Sequence, residues 1–525
     1  MTLSPPLQTI RNHPIEDLIR VARTEFMGTV AKQSQTIADA VQTYRMRTGM
    51  HPPPKFDAWF SFAQKNHVQM IDEYDTIQHL LRPFWGLSPH TIRQSVRDAC
   101  GAENNYLMSI QIRNGEVRHR SHDDWSLAAV VEMIRKFVHH LPDMDLLFNV
   151  HDEPSVVVPN DMLNHLVSSA RLAQHDSPHN MFSGRPTDLV DEIPGHYGTN
   201  VLRIGRQTLW QQLIASCPVN SPVRMGGSDF TESYAREPLG FIYNTTAFSD
   251  VCNQPSLPYH HGFFDRPNSM QYISTLVPIY SPGKVSTFGD ILFPSPWYYD
   301  QRTRLDDNRD MDWDSKRNQM HWRGSTTSGF PANGGWRRHH RQRFVKALDN
   351  IENPVDVLRK EENVWVKDIM SPSAAQSLFD VKFTIVSDMS TPEDHEAQRE
   401  EFDIAPLEDQ QDLWKWKHLL DVDGHGLSGR FYPMLKSRSL VYKCAMFREW
   451  HDEWLRPWVH YVPLGLEGTD WYEVVRYFAL EAEGQQEAKR IAQESRDWSR
   501  KVLRREDMEA WLFRLLLEYS PLSPF

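Results

Sequence analysis

Cysteine is scarce in this chain. There are four in 525 residues, at positions 100, 217, 252 and 444, and no Cys-x-x-Cys pair. That spacing argues against a structural zinc site and leaves room for at most two disulfides. Long apolar runs are missing too: none reaches the roughly 18 residues of a membrane span. The opening Met1-Thr-Leu-Ser-Pro-Pro6 has neither a basic flank nor an apolar signal region. Positive charge is the minority sign, with 57 Lys and Arg against 69 Asp and Glu and a net charge of −12. A broad nucleic-acid surface is therefore disfavoured, although a local basic cleft remains open. No G-x-x-x-x-G-K-[ST] loop and no G-x-S-x-G elbow occur, which excludes a P-loop and a nucleophile-elbow hydrolase. The histidine pairs at 139–140, 260–261 and 339–340 share no ligand spacing. Asn244-Thr-Thr246 is the one N-x-[ST] sequon.

Aromatic residues are plentiful, with 17 Trp and 25 Phe. The length exceeds what one core supports, so two domains are expected. Apolar residues at helical spacing from Leu18 to Tyr44 predict one long helix over 14–48, stopped at Pro52-Pro-Pro54. A helix-rich stretch follows over 56–87. From 100 to 300, strands at 105–112 and 145–150 alternate with helices at 124–141 and 159–172, which favours an α/β domain with a mostly parallel sheet. Residues 215–310 read as long loops. Alternation resumes with strands at 320–323, 381–386 and 459–463 and helices at 335–350 and 470–481, and helices close the chain. The expected organisation is a helical N-terminal extension over 1–90, an α/β domain over 91–310, a second over 311–490 and a helical tail over 491–525.

Four constellations carry chemistry. Asp152 lies just past the carboxyl end of the strand at 145–150, where open α/β sheets bind ligands and a carboxylate can act as general base. Read alone, it is more often a turn or cap residue. In Trp322-Arg-Gly-Ser-Thr-Thr-Ser-Gly329 a strand runs into a loop of small hydroxyl residues, whose N–H and O–H groups suit phosphate oxygens. The basic run Arg337-Arg-His-His-Arg-Gln-Arg343 is by default a solvated helix face, with Arg337 or Arg341 able to turn inward. Residues 415–444 form strand, Gly-rich turn, short amphipathic segment and strand. Ser428 and Arg430 fall where the helix begins, a place that attracts anions. Asp421-Val-Asp423 has the Asp-x-Asp form that binds divalent metals in many glycosyltransferases; hydrogen bonding around the turn is the alternative reading.

Together, Asn149-Val-His-Asp-Glu-Pro154, Trp322-Arg-Gly-Ser-Thr-Thr-Ser-Gly329, Lys417-His-Leu-Leu-Asp-Val-Asp-Gly-His-Gly-Leu-Ser-Gly-Arg-Phe431, Ser439-Leu-Val-Tyr-Lys443 and Trp458-Val-His-Tyr-Val-Pro463 resemble glycosyltransferase family 90, the capsule-associated-protein and protein O-glucosyltransferase family. The resemblance implies a GT-B-like fold of two Rossmann-like domains facing a cleft. It implies an inverting transfer of xylose or glucose from a UDP-sugar to a hydroxyl of a glycan or glycoprotein, with Asp152 as base. It places the donor on Arg323, Gly324, Ser325, Thr327, Ser428 and Arg430. No tightly bound cofactor is implied, and a divalent metal is not expected because animal members lack the acidic pair. The motif variant looks closer to a fungal, capsule-type branch, which suggests UDP-xylose as donor and a mannose-containing acceptor. Family members usually enter the secretory pathway, so the Golgi or endoplasmic reticulum lumen is the expected location. An inactive glycan- or nucleotide-binding protein of the same fold is the alternative.

Overall fold

Two five-stranded sheets organise the chain. The computed structural model describes residues 12–102, 105–120, 124–173, 179–182 and 201–522. The first sheet comprises β1 (Leu107–Arg113), β2 (Glu116–Arg120), β3 (Met144–Asn149), β4 (Ile279–Ser281) and β5 (Ile291–Leu292), in the order β2-β1-β3-β4-β5. It is mixed rather than mostly parallel. β1 runs antiparallel to β2 and β3, and only β3, β4 and β5 are parallel. The reason is Asn114-Gly115, both at positive φ (53° and 75°), a dipeptide that closes a tight hairpin. All six residues of β3 are buried.

The second sheet holds β6 (Arg317–Ser325), β9 (Phe379–Ile385), β10 (Trp416–Val422), β11 (Leu440–Cys444) and β12 (Val462–Pro463). Between β6 and β9 lies a separate hairpin of β7 (Val355–Glu361) and β8 (Val364–Met370), which sequence periodicity did not disclose. The sheet order is β9-β6-β10-β11-β12 and every pair is parallel. By order of appearance within the sheet this is 2-1-3-4-5, a doubly wound arrangement whose direction reverses between β6 and β10. A crevice opens at such a switch point, outside the carboxyl ends of the strands.

The predicted helix over 14–48 is two helices, Pro14–Ala31 and Ile37–Thr48. The break falls at Gln33 and Ser34, whose side chains turn inward. Gln33 accepts the Ile71 and Asp72 amides, and Ser34 donates to Asp72. The helix expected over 335–350 is α-helical only over His340–Asp349. Asp124 caps Trp125–Arg135 by accepting the Ser126 amide. Cys217 and Cys252 form a disulfide, whereas Cys100 and Cys444 are free.

Each end of the chain packs on the far half of the molecule. His13 pairs with Glu473 at 2.8 Å and stacks on Tyr477, both on the helix Trp471–Leu480 against the parallel sheet. Arg23 reaches Glu487 and Glu494. At the other end, the helix Arg505–Tyr519 is buried from Asp507 onward, with its buried charges paired: Arg514 with Glu518 at 2.7 Å and Glu509 with Lys136 at 2.8 Å. It packs against the helices Phe56–Lys65 and Trp125–Arg135 beside the mixed sheet. No helix among the described residues is long and apolar enough to cross a membrane.

Candidate active site

The switch-point crevice gathers side chains from five segments. β10 delivers Asp421, and the loop after it supplies Asp423, Gly424, His425, Gly426, Ser428 and Arg430. Asp421 accepts hydrogen bonds from the Ser428 hydroxyl and from Lys443 Nζ at 3.2 Å. Asp423 accepts the backbone amides of Met446 and Phe447 at 2.6 and 3.2 Å. Both carboxylates of the Asp-x-Asp pair are thus engaged in holding the turn and the end of β11. No group of three or more His, Cys, Asp or Glu side chains among the described residues is arranged to hold a metal ion.

Two arginines flank the Trp322 ring, each with its guanidinium carbon 5.7 Å from the centroid. Arg430 donates to the Arg323 carbonyl. Arg341, in the first turn of His340–Asp349, donates from Nε to the Asp423 carbonyl at 2.7 Å and from Nη1 to Thr327 Oγ1 at 2.7 Å and the Ser325 carbonyl at 3.2 Å. Thr327 Oγ1 also meets Ser325 Oγ at 2.8 Å. Burial, then the Arg430 charge, lowers Arg341 to about 9, against the pull of Asp421 and Asp423. Burial lowers Arg430 as well. Glu449, 3.7 Å from Lys443, is pushed up to about 8 by burial. Arg341 and Arg430 donate to carbonyls and a hydroxyl and form no ion pair with a carboxylate among the described residues, so an anion with several oxygens would suit them.

Arg323 is a correction to the sequence-based donor set. Its guanidinium turns away to Asp380 at 2.7 Å and Glu408 at 3.0 Å, and only its carbonyl reaches the crevice. Gly324 lies against the Trp322 indole, where a Cβ would come within 2.5 Å of the ring. The helix after the turn is also shorter than a phosphate-binding helix: it is the five-residue Phe431–Leu435, capped by Arg430. Its dipole is slight, so side chains carry the attraction.

Asp152 stands three residues beyond β3. Asn149 shapes the turn, accepting the His151 amide at 2.9 Å and donating to the Glu153 carbonyl at 2.8 Å. Glu153 is buried, accepts the Asn268 and Ser269 amides, and is pushed up to about 8 by burial. Asp152 is exposed on its outer side, yet protein crowds it enough that desolvation alone raises its pKa above the usual carboxylate value. Its main chain rests on Gly426, where a Cβ would lie 2.4 Å from the Asp152 carbonyl oxygen. A Cβ on Gly424 would lie 3.3 Å from Arg341 Nη2. Asp152 and Arg341 thus touch the same turn two residues apart. Between these glycines His425 holds a neutral ring, lowered to about 4 by burial, then by the Arg341 and His339 charges.

His425 and Lys443 lie inside the motifs quoted from the sequence, but nothing in the sequence assigned them a role, and Arg341 was one of two choices in a charge run. The other, Arg337, lies over the Trp336 ring at 4.0 Å. Gly424, Gly426 and Gly429 also have the G-x-G-x-x-G spacing of a dinucleotide turn, so that spacing does not by itself separate dinucleotide enzymes from nucleotide-sugar enzymes. A cavity of about 1210 Å³ lies elsewhere, between Thr231–Ile242 and the helix His340–Asp349, and is lined by neither Asp152 nor Arg430.

Residues 359–525 match the profile of glycosyl transferase family 90. The match covers that stretch and not the rest of the chain. It is 32% identical to protein O-glucosyltransferase 3 of Rattus norvegicus over 111 residues, which is 21% of each chain. It is 24% identical to protein O-glucosyltransferase 1 of Homo sapiens over 286 residues, 49% of this chain and 60% of the relative. With the O-glucosyltransferase rumi homolog of Aedes aegypti it shares 32% identity over 120 residues, 22% of this chain and 29% of that one. The chain spans less than two thirds of the length of these curated relatives. The matched residues contain β9 to β12, the glycine turn, Arg430 and Lys443, while Asp152, Ser325 and Arg341 precede them.

Proposed function

We propose that this chain is an inverting glycosyltransferase that moves a sugar, glucose or xylose, from a UDP-sugar to a hydroxyl of a glycan or glycoprotein. In this reading the two sheets are the halves of a GT-B-like pair and the switch-point crevice holds the donor. The observation that carries it is the glycine turn, with Asp152 seated on Gly426 and Arg341 on Gly424. Asp152 takes the proton of the acceptor hydroxyl. The acceptor oxygen attacks the anomeric carbon from the face opposite the diphosphate, and the anomeric C–O bond breaks with its electron pair leaving on UDP. Arg341 and Arg430 hold the diphosphate and stabilise the charge that develops on it. Ser325, Thr327 and Ser428 position that pair: the first two through Arg341, the third through Asp421. His425, a neutral imidazole with one donor and one acceptor nitrogen, suits a sugar hydroxyl. The Cys217–Cys252 disulfide is consistent with a secretory compartment.

The test is a panel of UDP-sugars with glycan and glycoprotein acceptors, following the anomeric configuration of the product by NMR. Asp152→Asn should lose transfer by roughly 10²–10⁴-fold while still binding UDP. A panel in which UDP binds but nothing is transferred favours the inactive binding protein. Tight nicotinamide dinucleotide binding without UDP binding would overturn both.

A further inference from the structure

We propose that Asn244 carries an N-linked glycan. The sequon Asn244-Thr245-Thr246 is the only one in the chain, and the fold presents it in a form that accepts a sugar without loss of structure. Asn244 and Thr246 are both exposed. Asn244 is the N-cap of the short helix Thr245–Phe248, its Oδ1 accepting the Ala247 amide at 3.1 Å. Its own amide donates to the Tyr234 carbonyl at 3.3 Å, which fixes the main chain. The carboxamide nitrogen, in contrast, has no hydrogen-bond partner among the described residues. Glycosylation replaces one hydrogen on that nitrogen and leaves Oδ1 free to keep the cap. The Thr246 carbonyl accepts Arg448 Nη2 at 3.0 Å, so the turn is anchored on both sides of the acceptor. Tyr243, 44% exposed beside it, offers an apolar ring for the first sugar to cover.

A second, independent observation concerns the compartment. The sequon lies inside the loop closed by Cys217–Cys252. Disulfides form in oxidising compartments, and asparagines in such sequons are modified in the secretory pathway. In the modification, Asn244 Nδ2 forms a bond to the anomeric carbon of an oligosaccharide carried on a lipid diphosphate. The anomeric C–O bond breaks, the lipid diphosphate leaves with the electron pair, and the amide proton is lost. No oxidant or reductant is needed.

The experiment expresses the full chain through the secretory pathway of a eukaryotic cell and treats it with peptide N-glycosidase. The expected result is a downward shift in mass and an aspartate at position 244 by peptide mass spectrometry. Thr246→Ala should lose that shift although it leaves Asn244 and its cap in place, and Thr246→Ser should keep it. Asn244→Gln should also lose it, but removes the cap as well, so Thr246→Ala is the decisive variant. An unmodified Asn244 in the purified chain, with the Cys217–Cys252 bond formed or not, overturns the proposal. So does a shift that persists in Thr246→Ala.

Discussion

Gly426 and Asp152 are packed so closely that the glycine has no room for a methyl group: a Cβ there would stand 2.4 Å from the Asp152 carbonyl oxygen. The neighbour is backbone, so it cannot swing aside. Gly426→Ala should destabilise the chain by about 1–3 kcal/mol through overpacking and lower transfer further by displacing Asp152. Thermal unfolding and a transfer assay on the same preparation check this. An alanine variant with unchanged melting and turnover would mean that Asp152 is not fixed by the turn.

Asp152 must be ionised to accept a proton. Desolvation by the protein crowded around it raises its folded pKa above the usual aspartate value, so activity should be low on the acid side, climb as pH rises through the folded pKa, and then level off. The acid limb of the kcat/KM profile should lie above the ordinary aspartate range and vanish in Asp152→Asn. A limb that survives in the variant belongs to another group.

Arg341 and Arg323 should behave oppositely. Arg341→Ala removes a cation from the crevice and should cost about 2–4 kcal/mol in the transition state. Lysine should not rescue it, because the planar fork reaches three carbonyls, of Asp423, Ser325 and Val422, and a hydroxyl at once. Arg323→Ala should leave donor affinity unchanged and cost about 1 kcal/mol of stability or less, since its partners are partly exposed. UDP titration calorimetry on the two variants separates them, and equal losses of affinity would reverse the assignment of Arg323.

Stability should fall on acidification partly through His418. This buried ring lies between the Tyr442 hydroxyl and Asn318, and burial lowers its pKa to about 3. Its unfolded value is about 6.5. The unfolded chain takes the proton first, so this contribution is present above pH 6.5 and is lost as pH drops toward 3, roughly 3 kcal/mol by pH 4. Glu153 and Glu449, raised to about 8, work in the opposite sense: their contribution is full below the ordinary glutamate value and is lost as pH rises from there to about 8. The readout is therefore the difference between wild type and His418→Gln in denaturant unfolding at pH 7 and pH 4. The variant should show the shallower loss.

The strands of the parallel sheet were legible from short apolar runs beside turn residues, as in Leu419-Leu420 before the glycine turn and Leu440-Val-Tyr442 after it. The mixed sheet was not, because alternation of strands and helices says nothing of strand direction, and the Asn114-Gly115 hairpin passed unread. Helix ends failed where a polar side chain served a distant backbone, as Gln33 does for Ile71. Asp152, Ser325, Thr327, Ser428 and Arg430 were named from motifs. Arg323 was misplaced because strand neighbours point to opposite faces, and a motif does not record which face meets the ligand. Arg341 sits in a run of like charges whose inward member only tertiary packing selects.

The reciprocal docking of the two termini makes the molecule a buckle. A protease nick in the connection between the sheets would leave two fragments still interlocked, each pinned by the other's tail. Any widening of the crevice to admit a bulky acceptor must flex both straps together, so trimming either terminus should loosen the jaws from afar.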